Sequence, residues 1–193
     1  MKAPKQILVA ILCATLPFLC GCQKFTLPTV ESMDILYVVE VSQDVLQVAD
    51  IELNYLDTQG KVVKEAMTRT SWKKRLPCPE NSSLIAVWPK LTPKPVLPQP
   101  AYTLSVNPAA GVYAALSDGT YLVDGYGFLD DEITLPRDSV ALWCSISPTM
   151  ALKISEYGYA QRSGYDFGGN NKENITIFRM VKWLTNIFGL NQQ

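Results

Sequence analysis

Residues 46–60, Leu46-Gln47-Val48-Ala49-Asp50-Ile51-Glu52-Leu53-Asn54-Tyr55-Leu56-Asp57-Thr58-Gln59-Gly60, decide the fold class. Asp50, Glu52 and Asn54 fall on one side of an extended chain, and Ile51, Leu53 and Tyr55 fall on the other. A period of two with one apolar side is the signature of a half-buried strand. Leu46 and Val48 have the opposite parity, which predicts a bulge or bend near Val48-Ala49-Asp50. Asp57-Thr58-Gln59-Gly60 then predicts a hairpin loop, with glycine where a positive φ is needed.

The same pattern extends in both directions. Upstream, Met33–Val41 has apolar residues on both sides, as in a strand covered on both faces, and Ser42-Gln43-Asp44 breaks it. Downstream, Lys61–Thr70 alternates weakly with more charge, as an exposed edge strand does. Leu84–Trp88 is a further strand, and Pro89, Pro93, Pro95, Pro98 and Pro100 argue against a ladder over residues 89–100. Tyr102–Val106, Val112–Leu116, Tyr121–Asp124, Ile133–Leu135, Val140–Ile146 and Met150–Tyr157 complete the series, with a tight turn at Ser117-Asp118-Gly119-Thr120. Short strands at this spacing predict a mainly β chain, an antiparallel β-sandwich of immunoglobulin-like or transthyretin-like kind. Near the end the period changes. Ile177, Met180, Val181, Leu184, Ile187 and Phe188 recur at three and four, predicting a short C-terminal α-helix over about 177–188, packed on the sheet or laid on a membrane surface.

The start of the chain obeys other rules. Lys2 and Lys5 precede Ile7–Leu19, which is apolar apart from Thr15. This is the charged and apolar order of an export signal, and it is too short for a spanning helix. The segment ends in Leu19-Cys20-Gly21-Cys22, which resembles a bacterial lipobox. That resemblance implies a signal peptide over 1–21, lipidation of Cys22 with palmitate-type chains, a tether over 22–32 and a folded domain over 33–193. Several acyl chains would hold the protein to a membrane effectively permanently. By the same resemblance, Gln23 argues against retention in the inner membrane. The expected address is the bacterial cell envelope, at the periplasmic face of the outer membrane.

Composition narrows the chemistry. The chain contains no histidine, which excludes Ser-His and Cys-His mechanisms and imidazole metal sites. Removal of Lys2 and Lys5 with the signal would take the formal charge from −1 to −3. That balance predicts no nucleic-acid partner. Cys13 and Cys20 lie in the signal segment, so the expected mature chain has Cys78 and Cys144 besides Cys22. In an oxidising compartment these two could form a disulfide. They could equally stay apart, with Cys144 in the core of a strand and Cys78 in the loop Pro77-Cys78-Pro79.

Ser42-Gln43-Asp44-Val45-Leu46, Val48-Ala49-Asp50, the Asp57–Gly60 turn, Thr70-Ser71-Trp72 and Tyr102-Thr103-Leu104 resemble segments of small Bacteroides-type lipoproteins. The resemblance covers about half the chain and carries no chemical motif. It implies a β-sandwich-like body ending in a short helix, and no substrate.

Three clusters invite chemistry. Asp124 with Asp130-Asp131-Glu132 is the densest acidic region, but its spacing matches no EF-hand loop and a solvated turn accounts for it. Trp72-Lys73-Lys74-Arg75 reads as a solvated strand end. Tyr126, Tyr157, Tyr159, Tyr165 and Phe167, interleaved with glycines, form either packing or a ligand surface whose rings stack on sugars or peptides. The sequence thus leads to a non-catalytic envelope lipoprotein, a binding or structural module without cofactor or metal. A carbohydrate- or peptide-binding accessory is the second expectation, and a His-free hydrolase using paired acids or Ser/Lys the remote third.

Overall fold

The fold of the chain, taken from a computed structural model, is described for residues 28–78, 84–129, 132–146, 148–163, 176–179 and 181–190. It is mainly β, and every strand pairing is antiparallel among the described residues. Twelve strands follow in chain order: β1 (Val30–Val41), β2 (Ala49–Leu56), β3 (Val62–Met67), β4 (Ser71–Pro77), β5 (Leu84–Pro93), β6 (Ala101–Leu104), β7 (Val106–Leu116), β8 (Tyr121–Leu129), β9 (Ile133–Pro136), β10 (Met150–Ile154), β11 (Ala160–Arg162) and β12 (Thr176–Arg179). Among the described residues three short α-helices interrupt them, α1 (Gln43–Val48), α2 (Val140–Cys144) and α3 (Val181–Ile187), and a 3-10 turn, Arg137–Ser139, leads into α2. One sheet runs β12-β8-β7-β1-β4, a second runs β11-β10-β5-β2-β3, and β6 pairs with β9 alone.

The two five-stranded sheets share one core. Ile35, Tyr37 and Val39 of β1 and Ala110 and Val112 of β7 enter it from the first sheet. Ile51 and Leu53 of β2, Ile85 and Val87 of β5, and Leu152 of β10 enter from the second. A fully buried large aliphatic side chain contributes roughly 1.5–3 kcal/mol, so this layer supplies most of the driving force. Leu36 and Val38 point the other way, into a second cluster with Ala109, Val123 and Leu184 of α3. The double-sided apolar pattern of β1 therefore has a cause: sheet on one side, helix on the other. Glycine makes room for that helix. A Cβ at Gly125 would lie 2.5 Å from Leu184 Cδ1 and 2.6 Å from the Ala110 carbonyl oxygen.

A buried phenol joins the sheets at their centre. The β2–β5 ladder ends at Tyr55 opposite Val87. The next pair would be Leu56 and Ala86, and there the Tyr37 hydroxyl inserts from the opposite sheet. It donates to the Leu56 carbonyl at 2.9 Å and accepts the Ala86 N–H at 3.3 Å.

Several expectations need correction. Residues 43–48 form a helix, so the parity change at Val48 is a helix-to-strand junction and no bulge. Residues 140–144 are helical: Val140, Trp143 and Cys144 are buried while Leu142 is 72% exposed, a spacing of three and four. Strand β5 continues through Pro89 to Pro93, because there it pairs with β2 only, beyond the end of the β10 ladder. Proline is tolerated where no partner needs its missing N–H. Strand β1 begins at Val30, inside the segment expected to be tether. Residues 176–179 are a strand, and the terminal helix begins only at Val181. Residues 72–75, read as a solvated strand end, lie within a full strand along β1 whose residues alternate exposed and half-buried.

Candidate functional site

The N-terminal stem fixes one end of the core. Thr29 N–H donates to Ser117 Oγ at 3.0 Å, and Ser117 N–H returns to the Thr29 carbonyl at 2.9 Å. The stem is thereby clamped to the β7–β8 turn. Beside it stands the β10–β11 turn, residues 155–159. Ser155 N–H bonds the Tyr159 carbonyl, Gly158 N–H bonds the Ser155 carbonyl, and Tyr159 N–H bonds Ser155 Oγ. Gly158 has φ +78°, and a Cβ there would come within 2.9 Å of the Ala114 Cβ, so the turn sits close on the mouth of the core. This geometry turns the flanking tyrosines outward: Tyr157 is 65% exposed and Tyr159 51%.

Stem and turn enclose an open groove of about 660 Å³. Pro28, Thr29 and Val30 line it from the stem, and Leu116 and Leu122 from the ends of β7 and β8. Glu156, Tyr157 and Tyr159 line it from the turn. Its wall is apolar and aromatic, with Glu156 the charged residue in it. The neighbouring Glu156 carboxylate pushes the Tyr157 phenol's pKa up. A surface of this kind can stack rings and shelter apolar groups.

The other expected site residues are distributed elsewhere. Tyr126 is half-buried against the shared core, so it does not join Tyr157 and Tyr159. Cys22, Tyr165 and Phe167 lie outside the described residues. Cys78 and Cys144 are thiols that are not bonded to each other. Burial raises both thiols, Cys144 to about 11, and Asp34 adds to the effect at Cys78. Asp124 is no solvated turn residue. It is 1% exposed and spans the two sheets, accepting Gly125 N–H at 3.0 Å and Ala160 N–H of β11 at 2.9 Å. Asp130 and Asp131 lie outside the described residues.

A second depression, about 690 Å³, lies between β1, the β3–β4 connection and Ile187. It holds Glu40, Arg69, Trp72 and Lys73. Desolvation raises the Glu40 carboxyl, and among the described residues no other carboxylate lines the depression. The basic run beside it is already engaged. Lys73 donates to the Ile187 carbonyl at 3.1 Å, Lys74 to Glu65 at 2.8 Å, and Arg75 to Asp34 at 2.7 Å. Sequence reasoning missed Glu65, the residue that accepts from Lys74. It also accepts from Tyr55 at 2.6 Å and from Trp72 Nε1 at 3.1 Å, linking the β3 edge to β4. Only its alternation with Val63 and Met67, which places it on the inward face of β3, could have signalled this.

Among the described residues, no group of three or more His, Cys, Asp or Glu could hold a metal ion. No described helix is long and apolar enough to cross a membrane. No protein-family model matches the chain, and neither a curated protein nor a solved structure is similar enough to count as a match.

Proposed function

We propose that this chain is a lipid-anchored, non-catalytic module of the bacterial cell envelope, held by an acylated Cys22 at the periplasmic face of the outer membrane. The supporting observation is one of continuity. The lipobox-like Leu19–Cys22 is followed, six residues after Cys22, by a stem hydrogen-bonded to the β7–β8 turn on the rim of the tyrosine groove. The body is read as a β-sandwich, immunoglobulin-like or transthyretin-like. Two sheets on one core support a sandwich, and the short edge strands fit either kind. The test is Cys22→Ser with palmitate labelling and cell fractionation. The native chain is expected to be labelled and to sediment with envelopes, and the variant to do neither. An unlabelled native chain would sink the reading.

A second reading, a carbohydrate- or peptide-binding accessory, is favoured by the exposed rings of Tyr157 and Tyr159. A glycan array and a cell-wall pull-down with the chain from Gln23 onward test it. Retention should disappear with Tyr157→Ser/Tyr159→Ser. No retained ligand removes this reading.

A further inference from the structure

The two ends of the shared core are built differently. At the end away from the stem, α1, β6 and the proline loop are tied together. Ser42 Oγ donates to the Thr103 carbonyl, Asp44 accepts Thr103 N–H at 2.8 Å, and Lys94 donates to the Leu46 carbonyl at 2.8 Å. Polar contacts lace that part of the end together, and the depression beside it is ringed by the charged Glu40, Arg69 and Lys73. The stem end carries the open groove and two of the most exposed aromatic side chains among the described residues. Pro28, the first described residue, lies on the groove's own wall. Residues 22–27 reach at most about 20 Å when fully extended. A body tethered that closely from the rim of its open end has that end within reach of the lipid headgroups.

From this we infer that the stem-end groove is the face on which the body rests on the bilayer, with Tyr157 and Tyr159 at headgroup level. Tyrosine suits that position because its ring is apolar and its hydroxyl remains hydrated. Glu156 sets the lipid preference. As the charged residue of the groove wall it favours zwitterionic over anionic headgroups. The inference rests on the anchor reading above and adds an orientation and a contact surface to it.

The experiment is amide hydrogen exchange on the full acylated chain in vesicles of phosphatidylethanolamine and phosphatidylcholine. The Cys22→Ser chain with the same vesicles is the reference. The expected result is roughly tenfold slower exchange at the two turns 117–120 and 155–160, with residues 94–105 unchanged. Tyr157→Ser/Tyr159→Ser in the acylated chain should abolish that protection while the protein stays vesicle-bound, and adding phosphatidylglycerol should weaken it. Protection at 94–105 instead, or at neither end, would overturn the orientation while leaving the anchor intact. Protection of the groove by a soluble glycan or peptide without vesicles would also overturn it, by giving the groove a different occupant. A native chain with no acyl mass would overturn anchor and orientation together.

Discussion

Tyr37 shows how one atom can decide a junction. Its hydroxyl occupies the place of the hydrogen bond that Leu56 and Ala86 would otherwise form, and the phenol is fully buried. Burial pushes its pKa far up, so it remains protonated and continues to donate. Tyr37→Phe would leave a buried carbonyl and a buried N–H facing a ring edge. The expected cost is about 1–3 kcal/mol, read as a lower urea midpoint with an unchanged slope. A neutral result would mean that β2 and β5 close on each other when the hydroxyl goes, and that the wedge is dispensable. Asp124 gives a second case. Its carboxylate serves the Gly125 N–H on its own strand and the Ala160 N–H across on β11, so Asp124→Ala removes an acceptor from two buried donors. The expected loss is about 1–3 kcal/mol by the same measurement. At Cys144, a thiol pushed up to about 11 by burial is almost wholly protonated at pH 8. It is expected to react with a thiol reagent only on unfolding, which a native-state thiol titration checks.

At the scale of elements, one turn is used three times. In each, residue i accepts the N–H of a glycine at i+3 and donates its own N–H to the carbonyl of i+4, with i being Asp57, Leu116 and Ser155. The glycines, Gly60, Gly119 and Gly158, all have positive φ. This is the type I turn with a left-handed glycine bulge that joins neighbouring antiparallel strands. A Cβ at Gly60 meets nothing within 4 Å, so Gly60→Ala should cost only the left-handed backbone term, about 1–2 kcal/mol. Gly158→Ala adds a collision with Ala114 and should cost more. Equal losses in thermal or urea unfolding would mean that the 155–159 turn does not sit on the core as described. The first two turns are legible in the sequence because Asp57–Gly60 and Ser117–Thr120 each carry turn residues directly after a clearly alternating run, Ile51–Tyr55 and Val112–Leu116. The third is not, because Ser155-Glu156-Tyr157-Gly158 carries its turn spacing inside a run whose aromatic residues fit a strand equally well. Helix α2 escaped for a related reason. Val140, Leu142, Cys144 and Ile146 alternate as a strand would, while Val140, Trp143 and Cys144 fit a helix equally well, and five residues cannot separate the two periods. Strand β12 was hidden in the same way, since four residues merge into the helical stripe that follows. The groove was half legible. Its tyrosines stood out, but their partners Val30, Leu116 and Leu122 are ordinary strand residues that only the topology gathers at one end.

At the scale of the whole molecule, the apolar layer attracts the two sheets without direction, and polar ties fix how they meet. Tyr37 holds the centre, Asp124 joins β8 to β11 on one flank, and Glu65 joins β3 to β4 on the other. The Glu65 tie makes stability depend on pH. Lys74 first, then the Tyr55 hydroxyl, hold the Glu65 carboxyl below its ordinary value of about 4.5. A carboxyl depressed by folding stabilises the native state fully above its unfolded value. That contribution is lost as the pH falls through the lower, folded value. Glu40 acts in the opposite direction. Desolvation raises its folded value, so its protonation on acidification favours the folded state and offsets part of the loss. Because the Glu65–Lys74 pair is about one-third exposed on each side, solvent screening keeps its contribution to about 1 kcal/mol or less. Urea midpoints measured from pH 7 down to pH 3 should therefore decline mainly below about 4.5. Glu65→Gln should flatten that decline, and Glu40→Gln should steepen it. Identical profiles for all three proteins would show that the β3–β4 flank closes without its carboxylate, leaving the apolar layer alone to set the distance between the sheets on that side.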